Sequence, residues 1–344
     1  MKSIFIRILL VTLVLQLSYS CRQKNNTDND YQQLYTVFPE EADSSLFFED
    51  SMVTYIRIPN NPTISQIIDI GIMDSLCFIL DNNGAVTSVN HTDGGIVRQF
   101  FKKGRSKGEM INPICLTTDS SYIYIFDGGK NEIIIYDRDF HYIDNINLEI
   151  SPSSILKVSN GFLCYESHIP TVYFVNNEGR INYSREMSNR VTDVTTGQQI
   201  LSYGPNNEIY IRPEYSDTVF VWNGDEVKPV YVFNYSKKIK VEEFPVIKYW
   251  QDGVPFLFNC FFTKQGLLAG CMQNKMLYHT FFDVKSNICY HYVPSKNGIL
   301  PFTPKWQFGN MILSIEGNEV FDSFLDTNLE INKQCQLVLL KYEL

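Results

Sequence analysis

The stretch that decides the fold runs from Gly108 to Asp137, GEMINPICLTTDSSYIYIFDGGKNEIIIYD. It reads as a turn with Pro113, a strand over 114–119, a turn, a strand over 122–127, a Gly-Gly turn and a strand over 131–137. A fourth strand follows in Phe140 to Ile150, after the Asp137-Arg138-Asp139 turn, so roughly 45 residues make one four-stranded meander. The pattern recurs. Ser75–Asp81 followed by Val86–Asn90 repeats Ser121–Asp127 followed by Ile133–Asp137, with Asp81 and Asp127 spaced by 46 residues. Weaker copies are Gly161–Glu166 with Val172–Asn176, Glu208–Arg212 with Thr218–Trp222, Gly266–Met272 with Leu277–Asp283, and Asn310–Glu316 with Cys335–Tyr342, six units in all.

Repeats of this length built from four short strands are the signature of a β-propeller. A blade buried on both faces also explains runs such as Ile133-Ile134-Ile135-Tyr136, which do not alternate apolar with polar. The expected fold is therefore all-β, a six-bladed β-propeller over 45–344. Val53–Ile58 precedes the first complete unit and has none of its own. It is expected to be the outer strand of blade six, joining the two ends of the domain and removing an open edge. In Asn318–Leu329 the apolar residues Val320, Phe321, Phe324 and Leu325 recur at threes and fours, which predicts a short helix inserted in the last blade.

The start of the chain reads as an export signal. Lys2 and Arg7 precede an apolar run, Ile8–Leu17, too short to span roughly 30 Å of hydrocarbon, and Leu17-Ser18-Tyr19-Ser20-Cys21 ends it. Residues 1–20 are expected to be removed. The cysteine at that point resembles the bacterial lipoprotein signal, which implies that Cys21 carries a lipid; ordinary cleavage without a lipid is the alternative. Residues 21–44 read as a flexible tether, of which Arg22–Asp30 is wholly polar.

Composition narrows the function classes. The 344 residues are 44% hydrophobic and 19% charged, enough for a large core, and the net charge is -9. Loss of Lys2 and Arg7 with the signal takes it to -11. A field of this sign repels phosphate backbones, so nucleic acid is not an expected partner. After Cys21 seven cysteines remain, with no CxxC or zinc-type spacing, and most lie in apolar strand-like runs. They read as small buried hydrophobes, with a disulfide among Cys260, Cys271 and Cys289 as the alternative.

Gly108-Glu109, Pro113, Ile114, Asp119, Tyr122-Ile123-Tyr124, Asp127, Asn131, Ile133 and Tyr136-Asp137 follow the NHL-type propeller repeat. From about residue 45 onward the chain resembles the TolB-like six-bladed propeller lipoproteins of Bacteroides-type bacteria. Their blade connector commonly reads G-x-G-P-G-E-Y. Here Gly104-Arg105-Ser106-Lys107-Gly108-Glu109-Met110 keeps the outer glycines and Glu109 and loses the central Gly-Pro and the aromatic. The resemblance implies the fold and a lipid-anchored place in the cell envelope, at the outer membrane and facing periplasm or surface. It implies no reaction.

Motifs for chemistry are sparse. Gly104–Gly108 matches the G-x-S-x-G nucleophile elbow, but Pro113 and a β run follow where that turn needs a helix, so it reads as a blade connector. Its Arg105 and Lys107, with Lys102 and Lys103, are a candidate anion site or a solvated loop. Acids end the second strand of four units: Asp81, Asp127, Glu166 and Glu316. They are either a ring for a cation or sugar, or acceptors for the backbone of the turns that follow, and turn chemistry favours the second. No histidine spacing suits a metal centre; His168, in the turn of blade three, is the histidine best placed for a pocket. Tyr249-Trp250, in the long loop Ser236–Pro255, and Trp306, in the next connector, suit stacking on a sugar ring or covering a blade end.

Two functions fit. The favoured one is a non-catalytic binding propeller, held to the membrane by an N-terminal lipid and taking a protein, peptide or glycan partner on the loop face, with no cofactor. The rival is a hydrolase or lyase acting on a sugar or lactone, with acids and His168 converging on the channel around a divalent cation.

Overall fold

The structure is a computed structural model, and it describes residues 32–36, 53–187, 199–214, 216–235, 256–264, 266–273, 276–283, 288–292, 304–317 and 335–342. Two strands, β1 (Gln32–Thr36) and β2 (Val53–Pro59), precede the first blade. Blade one is β3 (Ile67–Met73), β4 (Leu76–Asp81), β5 (Val86–Asn90) and β6 (Ile96–Phe100), and blade two is β7 (Pro113–Thr118), β8 (Tyr122–Asp127), β9 (Glu132–Asp137) and β10 (Tyr142–Asn147). Blade three comprises β11 (Ser154–Val158), β12 (Gly161–Glu166), β13 (Thr171–Asn176) and β14 (Ile181–Glu186); blade four comprises β15 (Leu201–Tyr203), β16 (Ile209–Ile211), β17 (Thr218–Trp222) and β18 (Val227–Tyr235). Blade five is β19 (Phe256–Phe262), β20 (Gly266–Gln273), β21 (Met276–Asp283) and β22 (Ile288–Tyr292). Blade six is β23 (Trp306–Phe308), β24 (Met311–Gly317), β25 (Cys335–Tyr342) and β2, which lies antiparallel to β25 from Val53↔Tyr342 to Pro59↔Cys335. The ring thus closes through the early strand, as its sequence requires.

The described residues hold strands and no helix. The helix expected at 318–329 lies outside the described residues. So do residues 1–31, with the signal, Cys21 and the polar start of the tether. Within the segment read as tether, β1 departs from expectation: it lies parallel to β18, in register from Gln32↔Tyr231 to Thr36↔Tyr235, as a fifth strand on blade four. Leu34 and Tyr35 give this piece the apolar and aromatic character that Arg22–Asp30 lacks, and β18 offers an unpaired edge.

Apolar layers fill the spaces between blades. Phe78 and Leu80 of blade one meet Leu116 and Ile125 of blade two, Phe126 and Ile133 meet Phe162 and Val175, and Leu163 and Val172 meet Ile211 and Trp222. Val219 and Phe233 of blade four meet Phe262 and Leu267 of blade five, while Leu313 and Leu339 of blade six meet Ile58, Ile70 and Ile79. β4 is buried at all six positions, as a central blade strand must be. Cys77, Cys115, Cys164 and Cys260 are buried and unbridged, matching the reading of small hydrophobes, and burial pushes the Cys77 and Cys260 thiols up to about 12.

The innermost strands are buckled to their neighbours. Thr118 Oγ1 donates to Ile72 O (2.6 Å), Lys157 N to Thr117 Oγ1 (3.2 Å) and Tyr203 Oη to Lys157 O (2.7 Å). Arg212 donates to Cys260 O, and Gln307 is bonded both ways to Phe262, accepting from its N at 2.9 Å and donating to its O at 2.5 Å. At the far ends of the inner strands β15 and β23 meet in one parallel pair, Tyr203↔Phe308, with Gly309 N donating to Tyr203 O (3.0 Å).

Candidate functional site

The connectors, the turns between second and third strands and the starts of the inner strands share one face. Second-strand acids are placed there, and the structure assigns two of the four, Asp81 and Asp127, to the backbone. Asp81 Oδ1 accepts from Asn83 N and Ala85 N (both 3.0 Å), and its Oδ2 accepts from Ser65 N (3.1 Å). Asp127 accepts from Gly129 N (2.8 Å), Asn112 N (2.9 Å) and Ile111 N (2.6 Å). Each therefore grips its own following turn and the connector leading into its blade, a second role that sequence reading missed. Elsewhere the same position is filled differently. Glu166 accepts from Tyr173 Oη (3.3 Å), Arg212 donates to the Gln199 carbonyl (2.8 Å), and Glu316 pairs with Lys305 (3.1 Å). Asp81 and Asp127 serve separate turns, Glu166 and Glu316 are engaged by side chains, and the four do not converge. No group of three or more His, Cys, Asp or Glu among the described residues is placed to hold a metal ion.

The connector reading of Gly104–Gly108 holds. Gly108 sits at φ +67, where an added Cβ would stand 2.8 Å from Tyr142 Cβ. Glu109 Oε2 accepts from Ser106 N (2.9 Å), a bond that holds the Glu109 carboxyl below its usual range, and Lys130 Nζ donates to Ser106 O (3.0 Å) and Glu109 O (2.7 Å). Arg105 and Lys107 are exposed on the rim of this loop. His168 is exposed in the turn of blade three, one residue from Ser167. Tyr249 and Trp250 lie outside the described residues.

Trp306 is the expected residue that enters a cavity. It opens β23, is buried, and lines a space of about 250 Å³ at the connector end of the channel with Asp69, Ser153, Ser167, Gln199 and Glu214. Asp69 is the central group. It follows a bulge in β3, where the pairing with β4 skips Ile68 and leaves that side chain exposed. β7 carries the same bulge at Ile114, 46 residues on. Asp69 Oδ2 accepts from Leu116 N (3.0 Å) and Oδ1 from Ile70 N (2.9 Å), and the Trp306 indole also donates to the carboxylate. One side chain therefore ties blades one, two and six. Loss of hydration raises its pKa from 3.8 to about 7, outweighing the three N–H donors that favour the anion.

Opposite, Ser153 Oγ and Ser167 Oγ are bonded at 2.6 Å, and Ser153 Oγ also reaches Tyr165 O (3.1 Å). Gln199 accepts from Gln307 N (2.6 Å). The cavity thus offers two acids, hydroxyls, an amide and an indole around an aliphatic wall. Sequence reading missed Asp69, Ser153, Gln199 and Glu214. The available signal was one acid inside the apolar run Ile67-Ile68-Asp69-Ile70, a position no turn explains.

Comparison with known proteins agrees with this architecture. A protein of Bacteroides fragilis described as exported shares 15% identity, with 87% of this chain and 97% of that one aligned and a TM-score of 0.66. A member of the duf4221 family from Bacteroides vulgatus shares 9% identity over 86% and 99% of the two chains, with a TM-score of 0.51. Virginiamycin B lyase of Staphylococcus aureus aligns over 84% and 99% at 11% identity, but its TM-score of 0.44 supports no argument about activity. No curated protein matches the chain. A family model described as a 6-bladed beta-propeller matches residues 22–297, most of the chain, and on that match this protein belongs to the DUF5128 family of six-bladed β-propellers.

Proposed function

We propose that the chain is a non-catalytic binding propeller of the cell envelope, anchored through a lipid on Cys21, that takes a protein, peptide or glycan partner on its connector face. The observation that carries this reading is the cavity beneath that face. Trp306, Glu214 and the Asp69 carboxyl line it while Asp81 and Asp127 are engaged in turns, which leaves a recessed polar anchor point. Arg105, Lys107 and His168 stand exposed on the same face as rim contacts. Within the propellers we place the chain among the TolB-like, NHL-like lipoproteins, on the strength of the repeat in Gly108–Asp137.

The test is thermal stability of the full chain in detergent against peptides, oligosaccharides and divalent cations. A ligand at 100 times its dissociation constant adds about 2.7 kcal/mol. A shift that disappears in Glu214→Gln supports the cavity; a shift that survives moves the partner elsewhere. Cys21→Ala is expected to release the protein from the membrane fraction, and its retention there would refute the anchor. The rival reading, a hydrolase or lyase on a sugar or lactone, is favoured by one observation: a carboxyl that titrates near neutrality in a cavity suits general acid–base work.

A further inference from the structure

On the face opposite the connectors, blades three and four enclose a cleft of about 430 Å³, within the usual size of small-molecule sites, about 300–1,000 Å³. Its apolar wall is Phe174, Trp222 and Tyr203. Phe174 and Trp222 are stacked, with ring centres 5.5 Å apart at 27°, and Tyr183 meets the Trp222 ring edge-on at 5.1 Å. Both tyrosines are locked through their hydroxyls: Tyr203 donates to Lys157 O (2.7 Å), and Tyr183 accepts from Val227 N (3.1 Å). The aromatic platform is therefore held before any ligand arrives, which lowers the entropy lost on binding.

The rim is amide. Asn160, in the turn between β11 and β12, Asn207, in the turn between β15 and β16, and Asn223, in the turn between β17 and β18, all line the cleft from exposed positions, joined by Ser159. Asn207 holds φ +60, the left-handed conformation that asparagine tolerates. Gly224 leaves open space where a Cβ would stand. None of the lining residues is charged. Lys157, next to Val158 of the lining, turns its ammonium to Val158 O (2.7 Å), Gly161 O (3.3 Å) and Asn177 Oδ1 (3.4 Å), over the Phe162 ring.

We propose that this cleft binds an uncharged saccharide. Ring faces suit the C–H faces of a pyranose, and the Asn160 and Asn207 amides, which both donate and accept, suit hydroxyls around its edge, joined by the Asn223 NH2, whose Oδ1 already accepts from Asp225 N (3.0 Å) and Glu226 N (2.9 Å). A nucleotide or acidic sugar would need a cation that the lining lacks, in a chain of net charge -9. The site lies across the propeller from the Asp69 cavity and does not depend on it.

The experiment uses the full chain with glucose, galactose, mannose, N-acetylglucosamine and their disaccharides, read by saturation-transfer NMR. At least one is expected to bind. The double variant Asn160→Ala/Asn207→Gly, which removes two rim amides and keeps the left-handed turn, is expected to weaken binding tenfold or more with an unchanged melting temperature. Phe174→Leu is expected to weaken it as well, while Asp69→Asn leaves it intact. Absence of binding by every neutral sugar, binding only of glucuronic or sialic acid, or affinity indifferent to these cleft variants would overturn the proposal.

Discussion

Asp69→Asn separates the charge of the channel carboxyl from its shape. In the folded protein burial raises this pKa to about 7, against an ordinary 3.8. Between those two values the folded state keeps a proton that the unfolded state has released, so stability falls as pH rises through that window and is flat above it. The separation corresponds to about 4 kcal/mol at most, accumulating at about 1.4 kcal/mol per pH unit. Asp69 is half-buried, so solvent screening takes off part of this cost and about 2 kcal/mol is the expected size. Asparagine resembles the protonated acid, since each keeps one acceptor oxygen and sets a donor against one of the two backbone N–H groups, Leu116 N and Ile70 N, that the carboxylate accepts from. The variant is therefore expected to match the wild type near pH 4 and to gain on it steadily to about pH 7. Denaturant unfolding of both proteins from pH 4 to 8.5 measures the gap. A gap that is constant with pH, or one that favours the wild type at pH 8, would refute the argument: the three N–H donors would then outweigh desolvation.

Three further outcomes follow from the same contacts. Asp127→Ala leaves three backbone N–H groups without their buried acceptor and is expected to cost about 3 kcal/mol or more in denaturant unfolding, whereas Glu166→Gln, at a half-buried acid with one long contact, costs less than about 0.5 kcal/mol. Gly108→Ala must adopt φ +67 and meet Tyr142, so a loss of about 2 kcal/mol and a lower melting temperature are expected; an unchanged melting temperature would mean that the connector can shift at no cost. Replacing Leu34 and Tyr35 with prolines removes β1 from blade four, and hydrogen exchange is expected to speed up in Tyr231–Tyr235 and nowhere in blades one to three.

What could be read from the chain depended on whether the information was local. β8, β5, β12 and β25 fall where turn residues and apolar runs put them, because each blade strand is bounded by its own Gly, Asn or Asp turn. Closure by Val53–Pro59 was legible because a strand without a unit needs a partner. β3 and β1 were not. Ile67–Met73 carries a bulge that breaks its periodicity, and Gln32–Thr36 takes its order from an edge 199 residues away. The candidate sites were mostly hidden for the same reason. Asp69 sits in β3, Ser153 before β11, Gln199 before β15 and Glu214 after β16, while Phe174, Trp222 and Asn160 come from two strands and a turn, so no spacing connects them. Trp306 was found because a large aromatic beside two prolines is conspicuous wherever it points.

The strand that seals blade six also sets an order on folding. Gln336 reaches back to accept from Ile64 N (2.8 Å) and to donate to Pro59 O and Pro62 O (both 3.0 Å), contacts that span 272 to 277 residues of chain. Loops of that length close slowly, and none of these bonds forms until nearly the whole polypeptide has emerged. Blades one to three, whose partners are local, have every reason to assemble first, while β2 waits with both its edges unpaired. The interval between those events is when this protein is most exposed to proteases and to strand exchange with its own copies. A chaperone that shields Val53–Pro59 would thus act on yield without touching the stability of the finished ring.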